Sequence, residues 1–365
     1  MYHNDSRIVL TLDAGGTNFV FSAIQGNAEI VAPVTLPAHP NAIDDCLAAV
    51  LQGFTTVQRA LPSPAAAISF AFPGPADYVN GIIGDLPNFP AFRGGVALGP
   101  FLQQAFGIPV FINNDGNLFA YGEALAGMLP EVNRLLAGSG SSKQYKNLLA
   151  VTLGTGFGGG VVIDRQLLLG DNGCGGDVWL SANKNNPALI AEEGVSIRAV
   201  KRTYQERSGN DEALTPKEIF DIAEGARPGN RQAAIESFES LGAVAGFTIA
   251  ESLNIVDGLV VIGGGIAAAH KYILPAMVAE MNGVRSTIQG DVFPRLQMNA
   301  YNLEDEAHVA AVLKEESKLV RIPGTETTVA YHQHKKTGVT VSQLGASKAI
   351  ALGAYAFALA QMDQK

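Results

Sequence analysis

The sequence predicts an α/β fold divided between two lobes, and three observations carry that expectation. The first is length: 365 residues exceed what one hydrophobic core usually supports, so two domains are the default. The second is a repeated plan. An apolar strand, a glycine turn and a returning strand occur near the start and again from Leu148, roughly 140 residues later, an interval of domain size. The third is that each copy opens a run of alternating strand-like and helix-like patterns, which implies a layered sheet. A glycine hairpin alone is common; the shared setting favours duplication. Hydrophobic residues make up 47% of the chain and charged residues 16%, enough to give each lobe its own core.

Taken in order, residues 8–12 form an apolar strand, 13–18 (DAGGTN) a turn and 19–24 the returning strand. Residues 42–60 carry apolar positions at helical spacing, and 65–72 read as a buried strand stopped by Pro73, Gly74 and Pro75. A helix over 96–106 and a short central strand over 110–112 follow. The lobe boundary falls in a helix near 119–126, giving a small lobe at 1–120 and a large lobe at 121–346. Residues 138–146 (GSGSSKQYK) read as a flexible surface loop. Then LLAVTL, GTGFGGG and VVIDRQLLLG repeat strand, turn and strand. Helical patterns dominate 193–265 and end in a strand at 259–262, while 318–343 look like a strand pair with a polar turn at 334–337. The alanine-rich helix at 347–363 is expected to pack back on the small lobe.

Charge and composition exclude several roles. A net charge of −9 leaves no broad basic field for nucleic acid or an anionic membrane. Cys46 and Cys174 are too few for a disulfide framework or a cysteine-built zinc site, and fit reduced thiols in the cytoplasm. The opening MYHNDSRIVLTLD has no apolar run of signal-peptide length, since Asp13 ends it. The greasiest stretch, 243–265, is broken by Glu251, Asn254 and Asp257, which are expensive in a bilayer.

Four clusters carry candidate chemistry. In Asp13-Ala14-Gly15-Gly16-Thr17-Asn18 the glycines let backbone N–H groups approach phosphate oxygens, and Asp13 at the strand end can hold Mg2+ directly or through water. This differs from a Walker A loop, because no Gly-Lys-Ser/Thr ending is present and a strand follows instead of a helix. Gly154-Thr155-Gly156 offers a second cradle, with the Thr155 hydroxyl as an added donor. Five glycines in the seven residues 154–160 cost a strand about 0.5–1 kcal/mol each against alanine, which favours close approach by a ligand. Gly263-Gly264-Gly265, between a strand and a helix-forming segment, suits adenosine or its phosphates, or else tight helix–strand packing. Asn113-Asn114-Asp115 leaves the carboxyl end of a strand. There Asp115 is a candidate base, against an alternative role in an Asx turn or helix cap.

Together these elements resemble the ROK family, the bacterial sugar kinases, open-reading-frame proteins and repressors within the hexokinase and actin-like superfamily. LDAGGTN is similar to the family's first phosphate motif, PGPADYVNGII to the loop after it, and LPNFPAFRGGVAL to the sugar-side loop. INNDGNLFAYGEALAG matches the catalytic block, VTLGTGFGGGVVIDRQLLLGDNGCGGD the second phosphate motif and VVIGGGIA the adenosine motif. The resemblance implies a two-lobed actin-like ATPase (ribonuclease H-like) fold with an interlobe cleft. It also implies ATP-dependent transfer of the γ-phosphoryl to the primary hydroxyl of a hexose, with glucose ahead of mannose, fructose and N-acetylated hexosamines.

On that resemblance Asp115 deprotonates the sugar, Asn88 and Asn114 bind other hydroxyls, and Asp13 organises Mg2+. Gly15, Gly16, Thr17, Asn18, Gly154, Thr155 and Gly156 hold phosphates, while Gly263, Gly264 and Gly265 border adenosine. Glu192, four residues before Ser196, looks like the sugar-binding glutamate. Two departures stand out. Where the family reads Gly-Glu-x-Gly-His, this chain has Gly176-Asp177-Val178-Trp179-Leu180, and the cysteine-rich zinc motif is absent, so no structural zinc is expected. Asp177 is retained as a hydroxyl acceptor and Trp179 is either a stacking surface for the sugar or a core residue. Dimerisation is common in the family. The rival roles are a non-catalytic sugar sensor or repressor, disfavoured because only seven residues precede the first strand, and an acyl-phosphate-forming kinase or actin-like ATPase.

Overall fold

The structure, a computed structural model, describes residues 2–15, 17–74, 76–84 and 89–364. Two compact units divide it: Met1–Gly127 with Gly160–Gly176 and Leu344–Lys365 in the first, Met128–Gly159 with Asp177–Gln343 in the second. The division expected near 120 falls inside a helix that belongs wholly to the first unit.

In chain order the first unit contains β1 (Val9–Ala14), β2 (Asn18–Gln25), β3 (Ala28–Glu29), β4 (Val34–Pro37), α1 (Ile43–Arg59) and β5 (Ala67–Ala71). There follow the small hairpin β6 (Ala76–Asp77) and β7 (Ile82–Ile83), then α2 (Leu98–Phe106), β8 (Val110–Asn113) and α3 (Asp115–Leu125). The second unit begins with α4 (Met128–Gly138) and β9 (Leu148–Leu153); β10 (Phe157–Ile163) carries the chain back into the first, where β11 (Gln166–Leu167) closes a hairpin. The rest of the second unit is α5 (Ile197–Ser208), α6 (Pro216–Glu224), α7 (Arg231–Val256), β12 (Leu259–Gly263), α8 (His270–Met281), β13 (Val284–Ser286), β14 (Val292–Pro294), β15 (Asn299–Asn302), α9 (Glu306–Leu313), β16 (Lys318–Arg321), β17 (Thr328–Tyr331) and β18 (Lys336–Val341). Helix α10 (Ala346–Asp363) returns to the first unit.

The first unit's sheet runs β3-β2-β1-β5-β8, with β4 also on β2. Strands β1, β5 and β8 are parallel, and β2 turns back antiparallel on β1. One face is filled by phenylalanines: Phe19, Phe21, Phe54, Phe70, Phe72, Phe89 and Phe92 are all buried, and Phe21 meets Phe54 edge-on with centroids 5.1 Å apart. The other face, through Val9, Ile24 and Ala67, packs on Leu352, Tyr355 and Leu359 of α10. Every α3 residue from Gly116 to Leu125 is buried, the mark of a core helix. Glycine lets α3 and α10 touch backbone to backbone. A Cβ on Gly122 would lie 1.9 Å from the Ala349 carbonyl oxygen, and one on Gly353 1.8 Å from that of Leu118. Neither position has room for a methyl group, so the placement of α3 is tightly defined.

The second unit is built on the parallel strands β9-β12-β18-β15. Here the structure differs from the sequence reading in two places, for one reason. Residues 334–337 were expected in a turn, yet Lys336 and Thr337 open the buried strand β18, and the chain turns between β16 and β17 instead. The Lys336 ammonium donates to the carbonyls of Ala311 (2.8 Å) and Lys314 (2.9 Å) at the end of α9, and the Thr337 hydroxyl to Gly258 (2.7 Å). Residues 138–146 were expected to be a surface loop and most of them are exposed, but Tyr145 among them is buried, its hydroxyl donates to the Lys336 carbonyl at 3.0 Å, and Lys143 lies 4.4 Å above its ring. Polar composition reads as solvent exposure; here the polar groups are buried because each has a partner. Among the described residues no helix is long and apolar enough to cross a membrane.

Candidate functional site

In the first unit the sheet register gathers the predicted residues at one end. Asp13 lies opposite Ala71, and Ala71 opposite Asn113, all at the carboxyl ends of parallel strands. Two inter-strand spacings of roughly 4.8 Å separate Asp13 from Asn113, about 10 Å in all. This is where ligands concentrate in α/β sheets. Asp13 is exposed. Thr17 and Asn18 are also exposed; Asn18 begins the return strand, and the Thr17 carbonyl just before it accepts from Ala38 N–H at 2.9 Å. A Cβ on Gly15 would lie 2.8 Å from the Asn18 carbonyl oxygen, so the turn closes on a residue without a side chain. Gly16 and Asn88 lie outside the described residues.

Strand β8 passes into α3 with one residue between them. Asn114 is the N-cap: its side-chain oxygen accepts from Asn117 N–H at 2.6 Å, the cap role weighed as an alternative for this segment. Asp115 is the first helical residue, exposed, with one carboxylate oxygen accepting from Gly116 N–H at 2.9 Å. Beneath it the buried Asn113 accepts from Asn114 N–H (2.8 Å) and from the Asn117 amide (3.0 Å). The Asn113 Nδ2 and Asn117 Oδ1 atoms are buried without partners. Strand β10 presses on the same turn, since a Cβ on Gly160 would lie 2.5 Å from the Gly116 carbonyl oxygen. An exposed carboxylate thus stands on a rigid, buried base. Sequence reasoning assigned no role to Asn117; its spacing of four from Asn113 was the available signal.

In the second unit the two remaining glycine clusters leave adjacent parallel strands, with Thr152 of β9 paired to Gly263 of β12. Gly264 has φ +88°, and a Cβ there would lie 2.4 Å from the Leu153 carbonyl oxygen. Gly263 is buried within its strand, and Gly265 begins a short 3-10 helix that leads into α8. Around Gly154 and Gly265 a Cβ would meet nothing within 4 Å. Thr155 is exposed at the tip of the turn between β9 and β10, where Gly154 N–H donates to the Gly156 carbonyl at 3.1 Å.

Glu192 sits against that turn. Its Oε2 accepts from Phe157 N–H at 3.1 Å, and its Oε1 pairs with Arg198 at 2.8 Å. Arg198 was not singled out by sequence. Asp177 precedes a 3-10 turn, Val178–Leu180; partial burial raises its carboxyl above the usual range, opposed by a hydrogen bond with Trp179. Trp179 is half-buried and Leu180 exposed, so this strip offers apolar surface to solvent. Cys46 is buried and Cys174 exposed, and both are free. The described residues contain no group of three or more His, Cys, Asp and Glu able to hold a metal.

Comparison with known proteins adds four findings. A sequence profile of the ROK family matches residues 9–307. The chain is similar to a glucokinase of Parabacteroides distasonis known from a crystal structure, at 60% identity and a TM-score of 0.89, with 98% of this chain and 99% of that one covered. It is also 28% identical over 316 residues to a glucokinase of Thermotoga maritima (78% of this chain, 93% of the other). With the xylose repressor of Bacillus spizizenii it shares 25% identity over 272 residues, 72% of this chain and 63% of the repressor.

Proposed function

As the chain belongs to the ROK family, with that family's α/β actin-like ATPase (ribonuclease H-like) fold, we propose that it is an ATP-dependent sugar kinase acting on the primary hydroxyl of a hexose, glucose first. The observation that carries this reading is Asp115: an exposed carboxylate at the start of a helix whose other residues are buried, held by the Asn113, Asn114 and Asn117 hydrogen bonds. A base fixed on a rigid element can accept a hydroxyl proton in one orientation, while phosphoryl transfer otherwise depends on positioning and charge neutralisation. The similarity to two glucokinases supports the hexose.

The residues divide the work. Asp115 takes the proton of the attacking oxygen, and Asn114, Asn88, Asp177 and Glu192 read the other hydroxyls. Backbone N–H groups at Gly15 to Asn18 and at Thr155 and Gly156, with the Thr17 and Thr155 hydroxyls, bind phosphate oxygens that approach over the open side of Gly154, and Gly263 to Gly265 border adenosine. The donor set suits Mg2+: Asp13 is one hard, exposed oxygen donor beside a phosphate hairpin, and Mg2+ typically takes one or two carboxylates plus phosphates and water. When bound it neutralises charge on the phosphates. A cytoplasmic location belongs to the same proposal.

Asp115→Asn keeps the shape of the site and removes the base. It is expected to bind sugar by calorimetry yet lose turnover by about 10²- to 10⁴-fold in an assay coupled to ADP release. Near-normal turnover overturns the assignment. A panel of hexoses compared by kcat/KM decides the substrate. The repressor similarity favours a second reading, a sugar sensor. DNA retained at low salt, with no ATP consumed on any sugar, would select it.

A further inference from the structure

Residues 192–198 hold the second glycine turn at both ends. At its start, Ile197 N–H donates to the Gly154 carbonyl at 2.9 Å; at its end, Phe157 N–H donates to Glu192 Oε2 at 3.1 Å. The approach is close, since a Cβ on Gly156 would lie 2.6 Å from the same Oε2. Glu192 is in turn held from three sides. Its carbonyl accepts from the Ser196 hydroxyl at 2.9 Å, and Ser196 caps α5. Its Oε1 accepts from Arg198 at 2.8 Å, and Arg198 also bonds Glu193 through two nitrogens, at 2.9 and 3.0 Å. Arg202 pairs with Glu193 at 3.1 Å, extending the chain of charges along α5.

A carboxylate offers about four acceptor positions, and these contacts use two of them on Glu192. The side chain keeps 21% of its surface in solvent. It can therefore take a ligand hydroxyl without releasing either partner. We propose that Arg198 is a positioning residue that fixes Glu192 against the Gly154 to Phe157 turn, so that one carboxylate serves both the sugar and the phosphate cradle and couples their binding. The proposal rests on the reading of Glu192 as a sugar ligand. A sugar that orders Glu192 orders the Phe157 N–H end of the turn, and by linkage nucleotide phosphates on the turn order the sugar ligand by the same factor.

The test is a calorimetric titration with a non-hydrolysable ATP analogue and Mg2+, with and without saturating sugar, the sugar being the best substrate of the hexose panel. The readout is the ratio of the two nucleotide affinities, which a merely structural role would leave in place. In the wild type, sugar is expected to tighten nucleotide binding at least 5-fold, within the usual 5- to 150-fold range of coupling. In Arg198→Met the ratio should fall to within about twofold of one, and Arg198→Lys should recover part of it, since Lys keeps the charge but not the fork of donors. Arg198→Gln serves should Arg198→Met fail to fold. Coupling of wild-type size in the folded Met or Gln variant, or none in the wild type, overturns the proposal. If the wild type phosphorylates no sugar, the kinase reading fails instead, so the two failures are distinguishable.

Discussion

The two glycine hairpins share a plan of strand, turn and antiparallel return, yet different neighbours make their glycines necessary. In the first, the added Cβ of residue 15 would meet Asn18, an atom of the same turn. In the second, the Cβ of residue 156 would meet Glu192, and the residue beside it, Phe157, bonds Glu192 across 35 positions of sequence. The third case is Gly154, whose Cβ would meet nothing. One glycine answers to its own turn, one to a distant side chain, and one to no protein atom at all. A repeated motif therefore need not repeat the physical reason for its residues.

The sharpest way to break that distinction is Gly15→Ala. The obstructing atom is a backbone carbonyl in a tight turn, 2.8 Å away, and it cannot give without opening the hairpin. A loss of about 1–3 kcal/mol in urea unfolding is expected, the usual cost of overpacking. A change under about 0.5 kcal/mol would mean that the first turn relaxes freely and that the two hairpins are alike. Gly156→Ala should cost less, about 1 kcal/mol, because the obstructing atom is the tip of a side chain that can swing aside. Its cost should also depend on Glu192. In a Glu192→Ala background the same substitution should be nearly free, giving a coupling of at least 0.5 kcal/mol in a double-mutant cycle. Additive costs would remove Glu192 as the reason for glycine at 156.

The same contrast explains what the sequence disclosed. The Asp13 to Asn18 turn and the Asp115 segment were legible because their determinants are local: glycines between two apolar runs, and polar residues where a strand ends. Even the boundaries of α1 and α2 came within two residues, because apolar spacing sets them. The contact by which Arg198 holds Glu192 was not legible. Arg198 sits in the sequence RAVKRTYQER, where one cation looks like any other on a helix surface, and its meaning comes from Glu192 across the start of α5. Lys336 and Tyr145 were misread for a related reason, since their partners, the carbonyls at the end of α9 for the Lys336 ammonium and the Lys336 carbonyl for the Tyr145 hydroxyl, are remote in sequence. Local chemistry can be read from order; long-range partnership requires the fold.

Gly154→Ala carries the smallest expected effect on stability and separates folding from function most cleanly. Its Cβ enters open space and its φ lies outside the left-handed region, so the folded state should accept alanine at no steric cost. The substitution also reduces the freedom of the unfolded chain, which at compatible sites gains about 0.4–1 kcal/mol. The melting temperature should therefore stay level or rise slightly. If the space beside Gly154 is where phosphate oxygens lie, the methyl group should nevertheless weaken nucleotide binding, measured by the same calorimetry without sugar, and leave sugar affinity alone. A variant as stable as the wild type that binds nucleotide equally well would mean that glycine at 154 serves no ligand, and the second turn would lose its claim to be a phosphate cradle.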